Sequence, residues 1–418
     1  MFGGRLPGAD VAVHLRNRKL YTKLFLNPEL HVPEAYMNGD MELEDGTTVH
    51  DLLLLFHLNQ DALHEHGVQK VVRRMLFALR RWHQANSIGR AAANASHHYD
   101  LSTELYRLFL DEQMQYTCAY YRDPEHDTLE DAQRNKLIHV TSKLRLEPGM
   151  TVAELGCGWG GLAIHLARET GARVTAVNVS SEQVKMAREY ARLAGVSDRV
   201  QFHEMDYRQL TGKFDRVVSV GLMEHVGVGR YGEFFRKIRD LMAPGGFALV
   251  HSIGRTKPSI TSPFIRKYIF PGGYIPALSE VFPAIESNGF WCCDMEVLRL
   301  HYYYTVKHWR ERFAANRARA AEIYDERFCR MWEFYLSAAQ LDFMHGPMMV
   351  FHLLLSTKRD AVPITRDFML DTERAALAGM LDDIGGPRKS EDHRGLTEPH
   401  AAADGVASGS GAVRSLES

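Results

Sequence analysis

Through the middle of the chain, short apolar runs alternate with longer stretches whose apolar residues recur every three or four positions. Thr151–Leu155, Arg173–Val179, Val200–Glu204, Arg216–Val220 and Phe247–His251 are too short for helices and read as buried strands. Glu182–Ala194 and Tyr231–Leu241, between them, carry helical spacing, and Pro244-Gly-Gly246 marks a turn before the fifth strand. This alternation predicts an α/β fold, with a parallel sheet covered by helices on both faces. Met348–Leu355 suits a closing strand. The long segment from Ile253 to Met348, with Phe264–Phe270 leading to Pro271-Gly-Gly273 and a largely helical Trp309–Phe343, is expected to form a cap over about 254–347.

The first 90 residues predict a small N-terminal domain. Leu20–Leu26 and Ala35–Leu43 read as short strands broken by Asn27-Pro28 and Gly39-Asp40, and Thr48–Leu58 as a helix. In Val68–Trp82, Val68, Val71, Val72, Met75, Leu76 and Leu79 share one helical face, while Lys70, Arg73, Arg74 and Arg81 fall mostly on the other. Such a helix either lies on an anionic membrane surface or has an ordinary solvated basic face. Ala91–Ser96 reads as a linker into a main domain over 91–385. Residues 98–102 open a helical region whose stripe is Leu105, Leu108 and Phe109, and Tyr116–Tyr121 follow as an aromatic loop. The Gly-, Ala-, Ser- and charge-rich tail over 386–418 has too little apolar surface to order itself.

A length of 418 residues suits two domains, and a net charge of −2 offers nothing global to nucleic acid. Of five cysteines only Cys292 and Cys293 are close together, a pair unlike C-x-x-C, which suggests a reducing compartment and no structural metal. With neither a bilayer-length apolar run nor a signal-peptide core, the expected location is cytoplasmic, peripheral on the inner face of the membrane.

Candidate chemistry centres on Thr151-Val-Ala-Glu-Leu-Gly-Cys-Gly-Trp-Gly-Gly161, an apolar run ending in an acid and then alternate glycines. Glu154, Gly156, Gly158 and Gly160 would let a ligand approach the backbone at a helix N-terminus. The order E-x-G-x-G-x-G resembles the first motif of Rossmann-like methyltransferases that use S-adenosylmethionine (SAM). Gly161 also completes G-x-G-x-x-G, so a nicotinamide reading stays open, as does a turn that binds nothing. Asn178 stands where a nicotinamide site wants an acid. Ser180 and Gln183 are placed to reach the cofactor's amino-acid end, and Asp206, with Tyr207 beside it, its adenine. Each also suits a helix cap or turn. Tyr116 and Thr117 join the cofactor-binding set. A second constellation comprises Cys118, Glu224 with His225, His251, Ile253 and Tyr302, several of them at the carboxyl ends of strands, where doubly wound sheets place active sites.

The chain resembles the cyclopropane fatty acid synthases, which build cyclopropane rings on acyl chains of membrane phospholipids. The matching pieces are His98-Tyr-Asp-Leu101, Gln115-Tyr-Thr-Cys-Ala-Tyr120, Glu154-Leu-Gly-Cys-Gly-Trp-Gly-Gly161, Phe214-Asp-Arg-Val-Val-Ser-Val-Gly221, Glu224-His-Val-Gly227, His251-Ser-Ile-Gly254, Lys267-Tyr-Ile-Phe-Pro271 and Glu326-Arg-Phe-Cys-Arg-Met331. They run from about residue 90 to 356, and Asn27-Pro-Glu-Leu30 looks like the family's N-terminal domain. The resemblance implies a seven-stranded methyltransferase sheet, SAM as methyl donor, and an alkene that becomes a carbocation before losing a proton to bound bicarbonate. It implies that the backbone near Cys118 and Ile253, with Glu224, His251 and Tyr302, holds that anion. Tyr116, Tyr120 and Tyr121 would steady the cation through their ring faces, and a homodimer at a membrane surface would be the working form. Ala339 stands where some relatives have a cysteine, and Asp342-Phe-Met-His345 lacks an arginine associated with that helix. Both departures bear on the substrate rather than the reaction class. Alternatives are C-methylation giving a branched or methylene chain, N-methylation of a small amine, and a lipid-surface binding module without activity.

Overall fold

The structure, a computed structural model, describes residues 10–59 and 102–385. The basic stretch Val68–Trp82, the linker, His98-Tyr-Asp-Leu101 and the tail from residue 386 lie outside the described residues. Near the N-terminus, β1 (Ala12–Leu15) pairs antiparallel with β2 (Met41–Glu44). Between them run α1 (Lys19–Leu26) and α2 (Pro28–Met37). The strands expected at Leu20–Leu26 and Ala35–Leu43 are thus corrected: the first is a helix, and in the second only Met41–Leu43 is strand. An apolar run this short carries no period of its own, and Pro28, read as a break between strands, occupies the first helical position it favours. Thr48 caps α3 (Val49–Leu58) through a reciprocal bond pair with Asp51, close to the expected helix.

These elements share a core with helices that come much later in the chain, before its last strand. Val32, Ala35, Met37, Leu52 and Leu53 belong to one buried cluster with Trp309 and Trp332. Glu34 Oε1 accepts from Lys267 Nζ at 2.7 Å and from the Tyr268 hydroxyl at 2.9 Å, and the Tyr36 hydroxyl donates to Glu333 at 3.2 Å.

After α4 (Thr103–Arg107) and α5 (Leu129–Leu144), the central sheet comprises β3 (Thr151–Leu155), β4 (Arg173–Asn178), β5 (Val200–Glu204), β6 (Phe214–Val220), β7 (Met242–Arg255), β8 (Trp291–Leu298) and β9 (Met348–Ser356). The order across it is β5-β4-β3-β6-β7-β9-β8, parallel from β5 to β7, with β9 antiparallel to both its neighbours. Helices α6 (Gly161–Thr170), α7 (Ser181–Leu193) and α8 (Tyr231–Leu241) alternate with the parallel strands. This confirms the expected α/β methyltransferase-type sheet and adds a strand that hydrophobic patterning missed. Trp291–Leu298 is an edge strand, mostly exposed or half-buried, so it has no apolar run to reveal it. The 253–348 segment therefore divides. A π-helical turn (Ile265–Ile269), α10 (His301–Ala315), α11 (Arg317–Ile323) and α12 (Glu326–His345) lie in it with α9 (Leu278–Ser287) and β8, which is part of the sheet. The last helix is α13 (Asp367–Gly385).

The turn from β3 into α6 carries positive φ at Gly158 (53°) and Gly160 (85°). A Cβ on Gly158 would meet no atom within 4 Å, whereas one on Gly160 would lie 2.7 Å from the Phe202 ring and 2.9 Å from Ala187 Cβ. Gly160 thus lets α6, α7 and β5 close together. Gly160→Ala is expected to destabilise the protein by about 1–3 kcal/mol from overpacking alone, and Gly158→Ala by less. Urea unfolding of the two variants checks the order, and equal costs would refute the packing role of Gly160.

Candidate active site

Two cavities meet at the carboxyl ends of β3, β4, β6 and β7. The first, about 170 Å³, is lined by Tyr116, Thr117, Glu154, Gly156, Gly158, Asn178, Gln183, Asp206 and Tyr207 among others. Nine of the eleven residues expected to hold the cofactor are thereby brought together. Gly160 and Ser180 are not in the lining: Gly160 serves packing, and the Ser180 hydroxyl caps α7 by accepting from Gln183 N at 3.4 Å.

Polar groups here are buried and only partly satisfied. Glu154 is 3% exposed, and its Oε2 has no hydrogen-bond partner. Burial pushes its pKa up to about 8, against the pull of Lys136 and of the Ala163 N–H. Asn178 Oδ1 accepts from Val179 N at 2.8 Å, which fixes its amide as donor to Gly158 O at 3.2 Å and Gln183 Oε1 at 2.7 Å. Asn178 therefore ties the glycine turn to α7, and Gln183 Nε2 is left as a buried donor without a partner. Asp206 Oδ1 accepts from Arg208 N at 2.9 Å, the capping role weighed for it, and the Arg208 guanidinium bonds both carboxylate oxygens, Oδ1 through Nε at 2.7 Å and Oδ2 through Nη2 at 2.6 Å. Lys136 also lines this cavity, a residue that hydrophobic patterning did not single out. Burial lowers its pKa to about 8, and its ammonium bonds Gln115 and, at 3.1 Å, Thr117 Oγ1. The signal for it was available: Gln133, Lys136 and Lys143 recur at helical spacing on α5, and all three are buried.

The second cavity, about 110 Å³, is lined by all five expected catalytic residues: Cys118, Glu224, His251, Ile253 and Tyr302. Ile265, Phe270 and Ile275 give it apolar walls. Tyr116, Thr117, Gly221 and His225 line both cavities and form the boundary between them. Glu224 Oε1 accepts from Ile253 N at 2.6 Å, so that backbone donor is already engaged. Glu224 Oε2 is buried without a partner, and burial raises the carboxyl pKa to about 7 despite the Ile253 N–H. His251 is 2% exposed, and burial together with the charges of Lys136 and Lys143 lowers its pKa to about 3, so the ring is neutral. The Cys118 thiol donates to Ala119 O at 3.3 Å, and burial pushes its pKa up, which makes it no nucleophile. The Tyr302 ring packs 4.6 Å from Phe343 and 5.7 Å from Trp309 between centroids.

Of the three tyrosines proposed to steady a cation, only Tyr116 reaches the cavities. Tyr120 is stacked between His139 and His301, at 4.2 and 4.7 Å, and Tyr121 stacks on His308. Both rings turn toward α5 and α10 instead.

The unpartnered Glu154 oxygen, the Gln183 amide donor and the open space at Gly158 suit a ligand that carries an amine, hydroxyls and a close-lying backbone, as SAM does. Comparison with known proteins points the same way. The mycolic acid cyclopropane synthetase family matches residues 86–353. A probable fatty acid methyltransferase of Pseudomonas putida is 34% identical over 87% of this chain and 92% of its own length. The cyclopropane-fatty-acyl-phospholipid synthase of Escherichia coli (strain K12) is 36% identical over 79% of this chain and 84% of its own. The mycolic acid cyclopropane synthase CmaA1, solved complexed with SAH and CTAB, superposes with a TM-score of 0.59 at 30% identity, covering 63% of this chain and 97% of that one. From the sheet order, the glycine turn and these matches together, the chain belongs to the mycolic acid cyclopropane synthetase family of SAM-dependent methyltransferases.

Proposed function

We propose that the protein transfers a methylene unit from SAM to the cis double bond of an unsaturated phospholipid acyl chain and closes a cyclopropane ring. The observation that carries this reading is the pair of cavities that share Tyr116, Thr117, Gly221 and His225 as their boundary: one with buried polar groups suited to SAM, and a more apolar one that gathers Glu224, His251 and Tyr302. SAM, when bound, supplies an electrophilic methyl group, which an alkene needs because it is a poor nucleophile. Glu154 and Gln183 are the groups to hold the cofactor's polar parts, Glu154 by accepting from its amine. Tyr116 offers a ring to the positive charge that develops on the acyl chain. The apolar walls keep water from that charge. Bicarbonate, the base implied by the resemblance, supplies a proton acceptor when bound. Glu224, His251 and Tyr302 have the donor and acceptor atoms to hold it, and Glu224 at a pKa of about 7 can itself carry or release a proton near neutrality.

The substrate class puts the work at a membrane surface, with the homodimer and inner-face location expected from sequence as part of the same reading. No described helix is long and apolar enough to cross a membrane. The Pseudomonas putida relative favours a second outcome, a methyl-branched or methylene chain. It shares the methyl-transfer step; a 1,2-hydride shift followed by loss of a methyl proton gives the methylene, and a saturated branch also needs a hydride from an external reductant.

Incubation with SAM and vesicles of monounsaturated phospholipid is expected to yield a lipid heavier by one methylene that resists hydrogenation. A product that takes up hydrogen would decide for the methylene branch, and activity on a soluble amine alone would overturn the lipid reading. Glu224→Gln is expected to bind SAH as the parent does, by calorimetry, while turnover falls about 100-fold or more; undiminished turnover removes Glu224 from the site. A third outcome follows from burial. Folded, Glu154 and Glu224 keep their protons up to about pH 8 and about pH 7, while the unfolded groups lose theirs near 4.5. The folded state thus binds more protons between those limits, and stability falls as pH rises through them. Glu154→Gln should flatten that fall in urea unfolding of the ligand-free protein across the pH range, and an unchanged slope would refute the burial of an acid there.

A further inference from the structure

A row of side chains crosses the sheet behind the second cavity. His251 on β7 faces His352 on β9, and His352 faces Glu296 on β8, each pair in direct register. Helix α5 lays Lys143 and His139 over this row, one turn apart. His251 Nδ1 lies 2.7 Å from His352 Nε2, and His352 Nδ1 lies 2.9 Å from Lys143 Nζ. Lys143 Nζ also bonds Glu296 Oε2, which accepts from His139 Nε2 at 2.6 Å, and His139 Nδ1 reaches Glu373. Lys143, His251 and His352 are each at most 2% exposed.

Proton placement along the row follows from donor chemistry. Burial would raise the Glu296 pKa, but His139 and Lys143 bring it down to about 2, so it is a carboxylate. Burial lowers the Lys143 pKa and the Glu296 charge opposes that loss; bonded to a carboxylate on one side, Lys143 is read as the ammonium of an ion pair. An ammonium has three donors and no acceptor. His352 Nδ1 must therefore accept, and burial keeps that ring neutral, so its single proton is on Nε2. That Nε2–H donates to His251 Nδ1. His251, also neutral, then carries its own proton on Nε2, the nitrogen left for the cavity it lines.

We infer that Lys143 and His352 are positioning residues that lock His251 in the neutral Nε2–H tautomer, so that it presents a fixed donor to an anion in the second cavity. The inference rests on the proposed function for the identity of that anion, not for the tautomer. His139, Glu296 and His352 have ligand atoms within 4.8 Å of one another, as a metal site would. The Lys143 ammonium already bonds two of the three, so the cluster is built around a fixed charge of the protein's own. A neutral donor also suits the task better than an imidazolium. It binds the anion without surrendering a proton to it, and so leaves the anion basic.

The test is ¹⁵N-labelled histidine in the full chain, read by ring ¹⁵N shifts and long-range ¹H–¹⁵N correlations at neutral pH. His251 is expected to carry its proton on Nε2. Lys143→Met and His352→Leu are expected to give mixed tautomers at His251 and a turnover roughly 10–100-fold lower, the range for losing a group that orients a functional imidazole. SAH binding, read by calorimetry, should be unchanged in both, because the first cavity is untouched. His352→Gln keeps an amide donor for His251 Nδ1 and is expected to restore the Nε2–H signature and most of the turnover lost in His352→Leu. A proton on Nδ1 of His251 in the parent protein overturns the inference, as does an unchanged tautomer in folded Lys143→Met and His352→Leu. Loss of the Nε2–H signal in folded His352→Gln also counts against it. If those two variants fail to fold, the parent spectrum and His352→Gln still decide. A parent protein with the expected tautomer but no cyclopropane product would defeat the proposed function and leave the tautomer assignment standing.

Discussion

The reversal of strand order at β3 is the constraint on which the rest depends. β4 and β5 lie on one side of it and β6 and β7 on the other, so the chain leaves β3 and β6 in opposite directions and a crevice opens above their ends. The glycine turn enters that crevice from β3, Gly221 and Glu224 from β6, and His251 from the neighbouring strand. The three segments that carry them are far apart in sequence. A parallel sheet is the device that brings them within one wall's thickness.

Burial decides how those groups behave once assembled. Two carboxyls, Glu154 and Glu224, each keep one oxygen without a protein partner, and both hold protons well above the ordinary carboxylate range. Such arrangements destabilise a fold and are kept where a ligand completes them. The histidines respond in the other direction. His225, His251 and His352 are all held neutral, while the cations around them, Lys136, Lys143 and His139, are balanced by hydrogen-bonded acids or amides. The chain thus keeps these cations out of the lining of the second cavity and leaves neutral histidines there.

Much of this was legible in the sequence. Thr151–Leu155 announced itself by an apolar run, and the turn after it by its glycines. The five residues of the second cavity came from short motifs shared with a family, not from periodicity, which sees no difference between His251 and a buried structural histidine. Elsewhere local pattern had nothing to offer. Trp291–Leu298 is an edge strand with no hydrophobic run, and Leu20–Leu26 is too short to show which period it follows. Lys136, Lys143 and His352 escaped because a lysine or histidine on an element shows its meaning only when packing turns it inward. Asp206 suits an adenine partner and a cap equally in the sequence, and only the structure shows Arg208, two residues on, bonded to both its oxygens.

The shared boundary of the two cavities has a consequence for the order of events. Tyr116, Thr117, Gly221 and His225 are the wall, and the thiols that line the two cavities, Cys157 in the first and Cys118 in the second, are both held protonated by burial. On the proposed reading the protein therefore offers no covalent resting place for a one-carbon unit in transit. Donor and acceptor must occupy their compartments simultaneously, so the enzyme passes through a ternary complex, and double-reciprocal initial-rate lines intersect where a shuttle through a modified enzyme would make them parallel.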